Sequence, residues 1–260
     1  VFSQHGFLMY PISAMAAGAT PVSASEKDLT ANVDALLAAV TDKTRIVFLA
    51  NPNNPTGTYL TAGEVTRLHD GLPDDVLLVI DAAYAEYVER ADYTCGAELV
   101  ETSDNVVMTR TFSKIYGLGG IRLGWAYCPE SVVSVLHRVR GPFNVSGAAQ
   151  AAGAAAVRDA AFTDRVRVHN RKWLPWTRNR LMDLGLSVTD SVGNFVLVSF
   201  DSIADKNAQD ADAFLKKNGI IVRRMAGYGL PECLRITIGT EREMTAVVDT
   251  LTTFLGRNET

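Results

Sequence analysis

Continuous apolar runs of strand length punctuate the first half of the chain: Arg45-Ile46-Val47-Phe48-Leu49-Ala50, Val76-Leu77-Leu78-Val79-Ile80 and Asn105-Val106-Val107-Met108-Thr109. They are apolar throughout rather than alternating, so each reads as a strand covered on both faces. Helical stretches lie between them. Phe7 to Gly18 reads as a helix with Pro11 in its first turn and Gly18 as its C-cap. Asp34 to Ala39 follows a capping residue, Asn32. Ala62 to Asp70 follows Thr61, and Glu64 completes a capping box. Thr20 to Ser23 reads as a short strand. Strands alternating with helices predict an α/β fold with a doubly wound, mostly parallel sheet.

The pattern changes further on. Leu123 to Tyr127 reads as a strand, Glu130 to Arg138 as a helix, and Ser146 to Val157 as a small-residue helix suited to close packing. Phe162 to Leu184 is a long basic helix, with Gly185 as its C-cap. Beyond it come a strand (Asn194 to Phe200), a helix (Asp210 to Lys217), two strands (Ile220 to Arg223 and Leu234 to Ile238) and a helix (Glu241 to Leu255). This predicts a large domain over residues 1–145, interdomain helices over 146–184, and a smaller C-terminal α+β domain over 185–260. No capping signal precedes Phe2, so the sequence reads as entering mid-domain, with the N-terminal part of the large domain missing.

Composition narrows the function classes. The 260 residues are 47% hydrophobic and 21% charged, with a net charge of −4, which argues against a general nucleic-acid binder. No apolar run approaches membrane-spanning length. Cys95, Cys128 and Cys233 are widely spaced and read as free thiols in a reducing cytoplasm. No Cys/His pair has metal-ligand spacing, and the four histidines are scattered. The arginines and lysine of the 162–184 helix read as a solvated face.

Chemistry gathers at the strand ends, where doubly wound sheets bind ligands. Asn54 follows one strand within Asn51-Pro52-Asn53-Asn54-Pro55-Thr56-Gly57, Asp81 ends a second, and Lys114 follows a third. Lys114 lies in Thr111-Phe112-Ser113-Lys114-Ile115-Tyr116-Gly117, among apolar and hydroxyl residues, with Arg110 and Arg122 as its charged neighbours. A lysine held there loses hydration and becomes usable as an amine nucleophile, for Schiff-base chemistry with a carbonyl or pyridoxal phosphate (PLP).

These motifs, with Asp81-Ala82-Ala83-Tyr84 and Leu234-Arg235-Ile236-Thr237-Ile238-Gly239, resemble fold-type I PLP-dependent aminotransferases in order and approximate spacing. Gly193-Asn194-Phe195 and Ile221-Val222-Arg223 resemble the histidinol-phosphate aminotransferase group in particular. The likeness implies that Lys114 carries PLP covalently and acts as general acid–base, while Asp81 pairs with the ring nitrogen. It implies that Tyr84 and Asn54 bond the cofactor's 3′ oxygen, that Thr111, Ser113 and Arg122 bind its phosphate, and that Phe7 stacks on the ring. The resemblance implies tyrosine at the Phe7 position, so phenylalanine is a mild departure that keeps the stacking face. Arg235 and Arg223 match arginines that bind the substrate's anionic end. The implied reaction is transamination between L-histidinol phosphate and 2-oxoglutarate in histidine biosynthesis, by a homodimer with no nucleic-acid or membrane partner and no metal. An aromatic amino acid aminotransferase, a threonine-phosphate decarboxylase-like enzyme, a regulator carrying an aminotransferase-like domain, and an inactive truncated fragment are the alternatives.

Overall fold

The computed structural model describes residues 1–203 and 205–257. The chain divides into two compact units, residues 1–53 with 59–167 and residues 54–58 with 168–260.

The first unit is built on a six-stranded sheet. Its strands are β1 (Phe2–Ser3), β2 (Ser23–Ala24), β5 (Ile46–Ala50), β6 (Leu77–Asp81), β7 (Val106–Thr111) and β8 (Gly124–Tyr127), in the order β2-β1-β5-β6-β7-β8. A small antiparallel hairpin, β3 (Glu26–Lys27) with β4 (Thr30–Ala31), lies outside that sheet. Neighbours from β2 to β7 pair in parallel, and β8 closes the sheet antiparallel to β7. The registers Ala50↔Asp81 and Asp81↔Thr109 bring the carboxyl ends of β5 and β6 level with the end region of β7. Helices α1 (Met9–Ala16), α2 (Val33–Ala38), α3 (Ala62–Asp70), α4 (Ala97–Thr102), α5 (Glu130–Val139) and α6 (Gly147–Arg158) belong to this unit.

The local signals operate as the residues dictate. Asn32 accepts from the amides of Asp34 and Ala35, and Thr61 with Glu64 forms a reciprocal capping box. Leu78 and Ile80 are fully buried, in a cluster with Val47, Leu49, Leu68 and Val106. Each such side chain contributes about 1.5–3 kcal/mol by leaving water. That core fixes where the strands end, and so where Asp81 and Thr111 point their chemistry.

Helix α7 (Ala160–Asp183) crosses the boundary between the units in sequence. The second unit has the antiparallel sheet β11-β12-β10-β9: β9 (Ser187–Val188), β10 (Phe195–Ser199), β11 (Arg223–Met225) and β12 (Leu230–Thr237). Helices α8 (Ala208–Lys217) and α9 (Glu241–Leu255) complete it. Its core joins Val196, Val198, Leu234 and Ile236 from the sheet to Leu215, Val248 and Leu251 from the helices.

A strand expected over Ile220–Arg223 begins instead at Arg223. The reason is local: the Ile220 amide is used to close α8, donating to the Leu215 carbonyl at 2.9 Å after Gly219 turns at φ 77°. The short strands β1, β3, β4 and β9, each two residues long, carry too little pattern to be read in advance. Among the described residues, no helix is long and apolar enough to cross a membrane.

Candidate functional site

In the first unit the site begins with Asp81, the last residue of β6. Its Oδ2 accepts a hydrogen bond from the Tyr10 hydroxyl at 2.8 Å. Burial pushes the Asp81 carboxyl above the ordinary carboxylate range. Bonds from Tyr10, the Ala83 amide and the Thr109 hydroxyl, with the charge of Lys114, pull the other way without cancelling that rise. The chain then turns through Ala82 and Ala83 to bury Tyr84, 4% exposed.

Lys114 follows β7 in a tight turn. The Ser113 amide donates to Thr111 Oγ1 at 3.0 Å, and the Gly117 amide to the Lys114 carbonyl at 2.9 Å. Gly117 takes φ 68°, which a glycine adopts without steric cost. The turn leaves Lys114 half-buried, with Nζ 5.1 Å from the centre of the Tyr84 ring. The carboxylate, the phenol and the amine predicted from sequence are therefore neighbours, at the carboxyl ends of adjacent parallel strands.

Arg122 stands at the end of the same segment, and Nη1 donates to the Gly119 carbonyl at 2.5 Å. Its φ of 58° is left-handed. For a residue with a Cβ that conformation costs on the order of 1–2 kcal/mol. Strain of this kind concentrates where a side chain is held for a purpose. Phe7 is half-buried, and its ring meets Tyr10 edge-on with centroids 5.9 Å apart.

The second unit holds another group. Arg235 Nη1 donates to the Asn54 side-chain oxygen, and its guanidinium lies 5.0 Å above the Phe195 ring. Arg223 is the direct ladder partner of Arg235 across β11 and β12. Like charges opposed on a sheet repel, so a bound anion would be favoured between them. A cavity of about 800 Å³ is lined by both, together with Thr237 and Arg242.

Sequence reading missed two parts of the first group. Tyr10 looks like an ordinary core aromatic of a helix, and Glu26 like a solvated charge. Glu26 is instead buried beneath the segment that leads to Phe7 and Tyr10. It accepts from Ser3 Oγ at 2.6 Å and from the His5 amide at 3.0 Å, and lies 2.8 Å from His5 Nδ1. No local signal marks it, because its partners are more than 20 residues away in sequence.

Comparison with known proteins gives the chain a family. The family described as aminotransferase class I and II matches residues 1–251. The chain belongs to that family. A histidinol-phosphate aminotransferase from Paramagnetospirillum magneticum is 62% identical to this aminotransferase over 256 residues, which are 98% of this chain and 70% of the relative. One from Rhodospirillum rubrum is 60% identical, over 98% of this chain and 69% of the relative. Among solved structures, histidinol-phosphate aminotransferase from Sinorhizobium meliloti in complex with pyridoxal-5′-phosphate is similar with a TM-score of 0.88 and 29% identity. That similarity covers 98% of this chain and 70% of the other.

Proposed function

We propose that this aminotransferase uses PLP to exchange an amino group between L-histidinol phosphate and 2-oxoglutarate. The observation that carries the reading is the meeting of Asp81, Tyr84 and Lys114 at adjacent strand ends, in a chain 60–62% identical to histidinol-phosphate aminotransferases.

The donor set of the first unit fits PLP by its chemistry. It offers a buried carboxylate for a ring N–H, an amine for a carbonyl carbon, and hydroxyls and a guanidinium for a phosphate. When bound, PLP supplies an electron sink for bonds at the substrate's amino-bearing carbon. In this reading Asp81 holds the proton on the ring nitrogen. Tyr84 and Asn54 donate to the 3′ oxygen. Arg235 bonds Asn54 through its oxygen, which leaves the Asn54 NH₂ as the donor. Thr111, Ser113 and Arg122 hold the phosphate, and Phe7 presents its ring to the pyridine.

Lys114 would hold the cofactor through its side-chain amine. The same amine is the general acid–base that would move a proton at the substrate's amino-bearing carbon. Arg223 and Arg235 receive the phosphate ester of histidinol phosphate, a dianionic group matched to two guanidinium forks. The exposed apolar side chains Val135, Leu136, Val139 and Phe143 support self-association as a homodimer. Unpaired cysteines support a reducing, cytoplasmic setting.

The test is to add PLP to the purified protein and record the absorption band of the lysine-bound cofactor, then to assay histidinol phosphate and phenylalanine separately with 2-oxoglutarate. The expected result is a band lost in Lys114→Ala and faster turnover of histidinol phosphate. Faster turnover of phenylalanine would overturn the substrate assignment, and a band unchanged in Lys114→Ala would overturn the role of Lys114.

A further inference from the structure

A buried carboxylate that must stay ionised needs donors, and the structure supplies an unexpected one. Tyr10 is 7% exposed, near the start of α1. Its ring lies parallel to that of Phe48 with centroids 4.8 Å apart, an interplanar angle of 5°, and meets Phe7 edge-on. With Phe2 and Ala50 these rings form a small cluster separate from the main core. Ring packing of this kind fixes where the phenol oxygen can be, and it is placed 2.8 Å from Asp81 Oδ2. The segment bearing Tyr10 is fixed in turn by Glu26, through the Ser3 hydroxyl and the His5 amide and ring.

We propose that Tyr10 is a positioning residue for the cofactor: its hydroxyl, donated to Asp81 Oδ2, keeps that carboxylate ionised and oriented so that the ring-nitrogen proton resides on the nitrogen. The inference rests on the PLP reading above. Hydrogen bonding to the charged form of an acid favours that form. Tyr10 donates a neutral O–H to the carboxylate and leaves its charge in place, unlike a lysine or arginine, which brings a positive charge. The groups acting on Asp81 include Tyr10, Lys114, the Thr109 hydroxyl and the Ala83 amide, and its charge also couples to the Tyr93 phenol. Burial opposes them.

Two variants separate the hydroxyl from the packing. Tyr10→Phe keeps the ring and removes the O–H; Phe48→Leu loosens the ring and keeps the O–H. The first readout needs no cofactor: the side-chain carboxyl ¹³C titration of Asp81. Loss of one bond to a charged acceptor predicts a rise of about one to two pH units in Tyr10→Phe, a tenfold or greater gain in proton affinity. Phe48→Leu should shift it less. The second readout is the ring-nitrogen ¹⁵N resonance of bound labelled PLP, which should move toward the unprotonated form at a lower pH in Tyr10→Phe than in the parent.

An unshifted Asp81 titration in a folded Tyr10→Phe protein overturns the proposal, as does an equal shift in Phe48→Leu. A parent protein that takes up no PLP while Asp81 shifts as expected would overturn the cofactor role and leave the Tyr10–Asp81 coupling standing. Failure of the PLP reading is thereby told apart from failure of the hydroxyl's action on Asp81.

Discussion

Glu26→Gln tests whether the segment before α1 is held by charge. The parent side chain is 3% exposed and its partner His5 10%. Burial raises the Glu26 carboxyl, but the bonds from the His5 ring, Ser3 and the His5 amide, with the His5 charge, outweigh it and hold the group below the ordinary glutamate value. Glutamine keeps the volume and one acceptor oxygen. That oxygen can still serve Ser3 and the His5 amide, while an NH₂ replaces Oε2 opposite His5 Nδ1. A bond to a charged acceptor contributes about 1.5–3 kcal/mol and a neutral one about 0.5–1.5 kcal/mol, so three weakened contacts cost about 3 kcal/mol. For a chain of this size that lowers the melting temperature by roughly 6–12 °C.

The pH dependence is more telling than the magnitude. A carboxyl whose folded pKa lies below its unfolded value contributes fully above the unfolded range, near about pH 4.3 for glutamate, and the contribution disappears as pH falls through the folded pKa. The gap between parent and Glu26→Gln is therefore widest at neutral pH and closes on acidification. Urea unfolding at pH values stepped from about 7 to about 3 measures it. Amide exchange of residues 2–10 reports whether the loss is local. A gap that stays constant across that range, or one below about 0.5 kcal/mol at neutral pH, would refute the reasoning.

Three further outcomes follow from named contacts. Arg122→Gly should raise thermal stability by relieving the left-handed φ of 58°, while PLP dissociates more readily, so stability and cofactor affinity move in opposite directions. Arg110→Met breaks the largely buried pair with Glu86, whose side chains are 17% and 11% exposed and 2.8 Å apart, and should cost about 3–5 kcal/mol in urea unfolding. Arg235→Ala should raise KM for histidinol phosphate at least tenfold in steady-state kinetics, more than the same change at exposed Arg242, because it removes a fork from the phosphate and the partner of Asn54.

The elements that sequence made legible are those whose cause is local. Thr61 and Glu64 mark the start of α3 because both halves of the capping box lie within one turn; the helix expected over Glu241–Leu255 has those bounds, and the structure shows that a second capping box, Thr240 with Glu243, starts it. Asp81 and Lys114 stood out because continuous apolar runs end beside them. Tyr10 and Glu26 did not, because their functions depend on pairings across 71 and 21–23 residues. Arg223 was read as the end of a strand and is its beginning, since the capping of α8 by Gly219 and Ile220 competes for the backbone just before it.

Asp81 shows why the non-local part matters to the chemistry. A carboxylate in water would share the ring proton's interaction with solvent and favour it weakly; a buried one interacts strongly but tends to take the proton itself. Both demands are met only if burial is offset by donors that leave the negative charge intact. A phenol, a threonine hydroxyl and a backbone amide meet that condition, and Lys114 adds charge from one side. Burial outweighs these groups and leaves a net rise. A protonated ring nitrogen at the carboxylate would add a positive charge and draw the Asp81 proton affinity down. The carboxyl titration of Asp81 should consequently fall when PLP is added to the parent protein, and fall by less when Tyr10 is phenylalanine. If PLP left the Asp81 titration where it was, Asp81 would have no ionic partner in the cofactor.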